Sequence, residues 1–574
     1  MAGGSIWLTL ILVSWFAALH FTDPTTADIV IIGGGLAGMA AALEALEANA
    51  SLRIVLLEKE PKVGGNSAKA SSGINAAQSK DDLDAYLQDT LKSGGGFTNP
   101  VLAQTLVDQS LDGIRFLESK GVDLSVQCQL GGHSTERTRR NKTGPNVGFA
   151  ITSALKKAID DASSQIQIVT GAKVTKLVAS DNAVSGVEYH VDNRDFTVST
   201  PAVILATGGY SANTALLKTL APGMEAFATT NGPWATGDGL ELATGVGAAL
   251  VDTDKVQLHP TGFIDPKDRH KSTRFLAPEA LRGAGGILLN VHGHRFVNEL
   301  ATRKEVSNAM LAQPEKRSFL VLLQTDQVQA ACQALGLSFY EKIGLVKVVP
   351  TLEALAQVVG VPQSVLDAEF DSYLKAARGQ AADTFGRTAF ANVTELRPMF
   401  VLEVEPVVHY CMGGVQINEH AEVVLGNHTT PVKGLYAAGE VSGGLHGGNR
   451  LGGNSLTECS VLDAEFDSYL KAARGQAADT FGRTAFANVT ELRPMFVLEV
   501  EPVVHYCMGG VQINEHAEVV LGNHTTPVKG LYAAGEVSGG LHGGNRLGGN
   551  SLTECVVFGR LAGQRAAVLV ASKY

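Results

Sequence analysis

The chain has 574 residues, 45% of them hydrophobic and 18% charged, with a formal net charge of −11. That length exceeds what one hydrophobic core usually holds, so more than one domain is expected. The negative balance argues against a nucleic-acid role, since the largest basic cluster, Arg137 to Lys142 (RTRRNK), reads as a solvated loop. Six cysteines occur without a C-x-x-C or C-x-x-C-H, so the chain carries no sequence signal for an iron–sulfur cluster, a c-type haem or a zinc ribbon, and no metal ligands are assigned.

The chain opens on an apolar run, Ile6 to Leu19. It has the length of a signal-peptide core and is too short to cross a bilayer comfortably, so residues 1–27 read as a signal or short anchor segment. These 27 residues contain no Arg, which sets a mitochondrial transit peptide below the secretory route and the endoplasmic reticulum lumen. Membrane attachment through this segment is the accompanying expectation. Sequons at Asn49, Asn141, Asn392 and Asn427 are compatible with that route.

Ile29 to Ile32 is a β-branched run expected to be a buried parallel strand, and Gly33, Gly35 and Gly38 complete G-x-G-x-x-G before an Ala-rich helix expected over Met39 to Ala48. Gly33 permits the tight turn, Gly35 lets backbone approach a pyrophosphate, and Gly38 lets the helix pack closely against the strand. The helix N-terminus adds oriented N–H groups. A second strand, Arg53 to Leu57, ends at Glu58, twenty positions after Gly38, where a carboxylate can accept hydrogen bonds from ribose hydroxyls. NAD and FAD share this turn, so the residues beyond Glu58 must choose between them.

The stretch from Glu58 to Ala77 reads EKEPKVGGNSAKASSGINAA. On it the chain resembles the flavoprotein subunits of fumarate reductases and succinate dehydrogenases, above all the soluble single-chain fumarate reductases of lower eukaryotes. The resemblance implies an α/β fold: a Rossmann-like FAD-binding domain of the GR2 flavoprotein type with an inserted α+β capping domain. Its domains would be 28–256 and 501–574 for FAD and 257–400 for the cap. It implies non-covalent FAD held by Gly33, Gly35, Leu36, Ala37, Gly38, Glu58, Lys59, Asn66, Ser67, Ser72 and Gly73. Farther along, Thr207, Gly208, Asp238, Glu440, Glu536, Arg546, Ser551 and Leu552 would join them. In this family a basic loop lies near the substrate entrance, which gives Arg137 to Lys142 the alternative reading of anion attraction.

Beyond the cofactor turn, Ile166 to Thr170, Lys173 to Val178, Ala183 to His190 and Pro201 to Ala206 read as strands, and Thr236 to Gly239 opens a helix. Residues Ser364 to Cys459 and Ser460 to Cys555 are identical, each position displaced by 96. Natural repeats diverge and use shorter periods, so this copy reads as a recent tandem duplication or an error of gene assembly. One strand position cannot hold two chains. The second copy runs directly into Val556 to Ser572, the family's final helix, so the expectation is that Glu405 to Val500 loops out and Arg546 rather than Arg450 meets the flavin.

A dicarboxylate calls for cations and fork-shaped donors at both ends. By resemblance, His259, His505 and Arg546, with first-copy equivalents His409 and Arg450, bind the substrate. Arg303 is the family's proton donor, and Glu279 and Arg282 relay protons to it. Hydride would pass from flavin N5 to one alkene carbon of fumarate, giving succinate. Two departures stand out: Pro278 replaces a threonine that donates to substrate in several relatives, and Asn66 stands where membrane-bound succinate dehydrogenases carry covalent flavin. The electron donor expected is FADH2, FMNH2 or NADH. The alternatives are an L-aspartate oxidase-like or other dicarboxylate oxidase, and an inactive flavoprotein or faulty gene model.

Overall fold

The computed structural model describes residues 24–180, 182–323, 337–390, 398–417, 422–428, 430–444, 446–458, 511–520, 527–535, 537–541 and 550–571. The apolar run Ile6 to Leu19 and the site candidates His505, Glu536 and Arg546 lie outside them. Among the described residues no helix is long and apolar enough to cross a membrane.

β1 (Ile29–Ile32) is buried at every position, as a strand covered on both faces must be. It leads through Gly33 and the N-cap Gly35 into α1 (Leu36–Ala48), which starts a turn earlier than the sequence suggested because Gly35 caps it. β2 (Ile54–Glu58), β3 (Ile166–Thr170) and β4 (Val203–Leu205) complete a parallel core in the order β4-β1-β2-β3. Val30 pairs with Val203 on one side and Val55 on the other.

A second, antiparallel sheet holds β5 (Val256–Phe263), β6 (Ile287–Leu289), β7 (Ser318–Leu323) and β8 (Met399–Cys411), in the order β5-β8-β7-β6. Two helices stand beside it, the short α2 (Ala280–Gly283) and α3 (Arg303–Leu311). The sheet buries both faces by strict alternation: Leu288, Leu320, Leu322 and Leu402 enter one core, and Ile287, Leu289, Val321 and Val401 enter the other.

The duplicated segment departs from expectation. β8 belongs to the first copy, as does β9 (Pro431–Ala437), which pairs in parallel with β4. Glu405 to Val500 is therefore not looped out as a unit. β10 (Asn454–Glu458) ends the first copy's described part. From the second copy come β11 (Pro527–Ala533), beside β9, and α4 (Asn550–Ala571). Equivalent residues of the copies meet: Tyr436 and Tyr532 stand in register with ring centroids 3.0 Å apart, closer than the ~4.5–7 Å of ordinary aromatic pairs. Both copies crowd toward one place.

The sequence NSLTE is a strand in β10 and the first turns of a helix in α4. Only the second copy is followed by Val556 to Ala571, where Gly559 and Gly563 seat the helix on α1; a Cβ on Gly563 would stand 2.2 Å from the Ala41 carbonyl oxygen. Tertiary packing, not local propensity, selects the helix.

The basic cluster is a second correction. Thr138–Arg140 is a strand, and Arg137 and Arg139 are fully buried. Arg137 pairs with Asp82 at 2.7 Å and with Asp89, and Arg139 donates to the Ala77 carbonyl at 2.7 Å. Two aspartates neutralise Arg137, so this is an internal fastening rather than a solvated loop.

Candidate functional site

A cleft opens along the carboxyl ends of β1, β2 and β4. Its walls include Gly33, Gly35, Leu36, Ala37, Glu58, Lys59, Asn66, Ser67, Thr207, Gly208, Asp238, Glu440 and Ser551. Gly38 stands behind the wall: a Cβ there would meet the Gly33 carbonyl oxygen at 2.0 Å. Ser72, Gly73 and Leu552 are not among the wall residues. Ala172, Lys173, Val174 and Trp234 also line the cleft and were not foreseen, having no motif of their own.

The residues fit a flavin dinucleotide. Gly33 adopts φ +109°, and any side chain there would strike the Ala206 carbonyl oxygen at 2.2 Å. Gly35 brings no side-chain cap to the N-terminus of α1, where Leu36 N donates to the Ser67 hydroxyl at 3.3 Å, and this helix end faces the cleft where a phosphate would sit. Glu58 accepts from Gly34 N and Glu60 N, both at 2.8 Å, and burial pushes its carboxyl above the usual range. Lys59 reaches across to Asp238 and to the Thr236 hydroxyl. The buried Thr207 hydroxyl oxygen, on the wall, has no hydrogen-bond partner among the described residues.

Next to the cleft lies a buried polar cluster. Glu440 links the two, since it lines the cleft and accepts from Cys411 N at 3.0 Å, two residues beyond His409. Burial drives the Glu440 carboxyl well above its ordinary range. A Cβ on Gly209 would overlap that carboxylate at 2.3 Å, so glycine is required opposite it.

β5 presents His259 and, two positions earlier on the same face, Gln257. The His259 Nδ1 accepts from Thr261 N at 3.1 Å, which leaves the proton of the neutral ring on Nε2, 3.9 Å from a Glu279 carboxylate oxygen. β8 brings His409 alongside, ring centroids 5.0 Å apart, its Nδ1 hydrogen-bonded to the Thr230 hydroxyl at 2.6 Å.

Arg303 opens α3, held by a capping box in which Thr302 and Glu305 bond reciprocally. Its Nε donates to Glu279 Oε2 at 2.8 Å and its Nη1 to Gln257 Oε1 at 3.1 Å. The other oxygen of Glu279 meets Arg282 at 3.1 Å. Glu279 thus bridges two guanidinium groups. Arg450 lies with its guanidinium carbon 3.7 Å from the Tyr410 ring centroid, and Gln257 Nε2 donates to its carbonyl at 2.7 Å. Burial, then the charge of Arg303, holds the Arg450 guanidinium well below the arginine range.

The structure therefore gathers Glu279, Arg282, Arg303, His259, His409 and Arg450. Where the sequence reading favoured Arg546, the first copy's Arg450 occupies this place, because β8 and β9 are themselves first-copy strands. Gln257 and Thr230 were missed. The period-2 rule on the strand of His259 could have found Gln257, whereas Thr230 carries no local signal.

The chain matches the family described as "FAD binding domain" over residues 28–456 and 458–552. It is 38% identical to a fumarate reductase of Schizosaccharomyces pombe over 474 residues, 78% of this chain and 90% of that protein. It is 40% identical to fumarate reductase 1 of Saccharomyces cerevisiae over 464 residues, 76% of this chain and 97% of that one. Among solved structures, it is similar to the open conformation of a flavocytochrome c3 fumarate reductase, with a TM-score of 0.62 at 28% identity. That likeness covers 96% of this chain and 79% of the other.

Proposed function

The chain belongs to the FAD binding domain family, and from that premise we propose that this FAD-dependent oxidoreductase reduces fumarate to succinate. The observation that carries the reading is the buried chain Arg282, Glu279, Arg303, adjoining Gln257 and Arg450. When bound, FAD supplies hydride to one alkene carbon; Gly33, Gly35, Glu58 and Thr207 would help to hold it.

Arg450, His259 and His409 bind the two carboxylates and stabilise the negative charge that develops beside the reacting alkene. Their donors are fixed before substrate arrives, so little reorganisation is required. Arg303 gives a proton to the second alkene carbon. It can do so only if reprotonated at once. Glu279 Oε2, hydrogen-bonded to Arg303 Nε, returns the proton, Arg282 recharges Glu279 through its opposite oxygen, and Arg282 in turn recovers its proton from solvent.

Asn66 in place of a flavin-linking histidine supports non-covalent FAD; its side-chain oxygen accepts from Gly232 N at 2.9 Å. Reduced FAD, reduced FMN or NADH would supply electrons. The apolar amino-terminal run supports a secretory or endoplasmic reticulum address, with attachment to the membrane where it is retained.

The test is anaerobic. The purified protein is reduced chemically and fumarate is added while the flavin spectrum is followed. Reoxidation by fumarate, lost in Arg303→Ala, is expected. A bound flavin that fumarate leaves reduced, but that air reoxidises with release of peroxide, would replace this reading with a dicarboxylate oxidase.

A further inference from the structure

Joined to the site through Arg282 is a second buried charge network of Arg295, Glu299, Asp383 and Arg387. Glu299 is fully buried and Arg387 only 2% exposed. Glu299 accepts from Arg295 at 2.8 and 2.9 Å, from Arg387 at 3.0 Å and from Leu288 N at 3.2 Å. Asp383 accepts from Arg295 at 2.6 Å and from Arg387 N at 3.0 Å.

Arg387 holds more than charges. Its guanidinium donates to the Gly286 carbonyl at 2.9 Å and to the Arg282 carbonyl at 3.2 Å, and its Nε donates to Ala389 O at 2.8 Å. It therefore clamps both ends of the turn, Arg282 to Gly286, that carries Arg282. The Arg282 side chain is tied to the same place, because its Nη1 donates to the Glu299 carbonyl oxygen while its Nη2 pairs with Glu279. Backbone and side chain of Arg282 both lead to the Glu299–Arg387 pair.

A buried ion pair is weak evidence for stability alone, since apolar packing of the same volume often serves as well. What apolar packing cannot supply is a planar fork of donors that fixes three carbonyls and one carboxylate at once. We propose that Glu299 and Arg387 are positioning residues for proton delivery: they set Arg282 against Glu279 and so govern how fast Arg303 is recharged. This rests on the fumarate reductase reading. It makes proton supply depend on the capping sheet and on a first-copy residue, Arg387, far along the chain from Arg303.

The experiment compares wild type with Arg387→Lys, which keeps the charge but lacks the planar fork that reaches four acceptors, and with Glu299→Gln, which keeps an acceptor but loses the charge. Flavin content and thermal melting show which variants fold, and steady-state fumarate kinetics are recorded across pH in H₂O and D₂O. A positioned acid contributes ~10²–10⁴-fold, so a partly misplaced relay should cost about 10-fold or more in kcat. The KM for fumarate should stay near wild type, and the solvent isotope effect on kcat should rise as proton delivery becomes limiting. Should Arg387→Lys not fold, Glu299→Gln carries the same expectation. A folded, flavin-loaded variant with unchanged kcat and isotope effect overturns the proposal, as does a loss confined to melting temperature. Wild type that does not turn over fumarate at all overturns the reading beneath it, and is told apart because the failure then precedes any substitution.

Discussion

Arg303 Nε donates to Glu279 Oε2 at 2.8 Å, with both side chains almost completely buried. Neither group can exchange protons with bulk water directly, so each depends on the other. Glu279→Gln keeps the volume and one acceptor but cannot carry a proton between the arginines. Its kcat for fumarate should fall about 10²-fold or more, the scale of general acid–base catalysis, with flavin still bound. Stopped-flow reoxidation of the reduced protein by fumarate measures this, and a kcat equal to wild type would remove Glu279 from the relay.

The copies make opposite expectations testable. Arg450 shares Gln257 with Arg303, so Arg450→Ala should abolish most fumarate turnover by removing a buried, charge-assisted contact. Arg546→Ala should leave turnover unchanged. The reverse pattern would return the site to the second copy.

Excision gives a cleaner comparison. Removing Ser364–Cys459 or Ser460–Cys555 produces the same single-copy chain, because the copies are identical. That chain no longer has to accommodate Tyr436 against Tyr532 or a strand beside the start of α4. Its melting temperature should rise, and flavin binding and turnover should persist. A single-copy chain that loses flavin would show that the extra segment is part of the working fold.

Glu58 sets a pH dependence. Burial raises its folded-state pKa above the ordinary 4.5. A raised pKa contributes stability that is fully present below the unfolded value and is lost as pH rises through the folded one. Flavin-free protein should therefore lose stability relative to Glu58→Gln on going from pH 4 toward neutrality. FAD, by supplying ribose hydroxyls to the carboxylate, should counter that loss. Melting curves of both proteins with and without FAD check it; parallel pH profiles would exclude Glu58 as the cause.

Much of this was legible along the chain. The strand, G-x-G-x-x-G and Glu58 specify one another locally, since a turn, a helix N-terminus and a strand end are each short-range structures. Arg303 and Glu279 could be read from their contexts, and Thr302 with Glu305 fixes the start of α3 through a four-residue pattern. Thr230 could not be read, because its contact with His409 spans 179 positions. Arg137 was misread for the same reason: the aspartates that bury it, Asp82 and Asp89, sit on other elements.

The sequence by itself determined the cofactor turn, the acid that ends its second strand and the basic residues from which the fold could gather a cluster. It could not choose between two identical copies, since identical residues carry identical propensities and patterns. Tertiary structure decided that: β8 of the first copy pairs with β5 and so brings His409 beside His259. Only the second NSLTE is followed by the glycines that let a helix settle on α1. The physical reason is that helix or strand, and site or bystander, is selected by the surface each segment can bury, and that surface belongs to the rest of the fold.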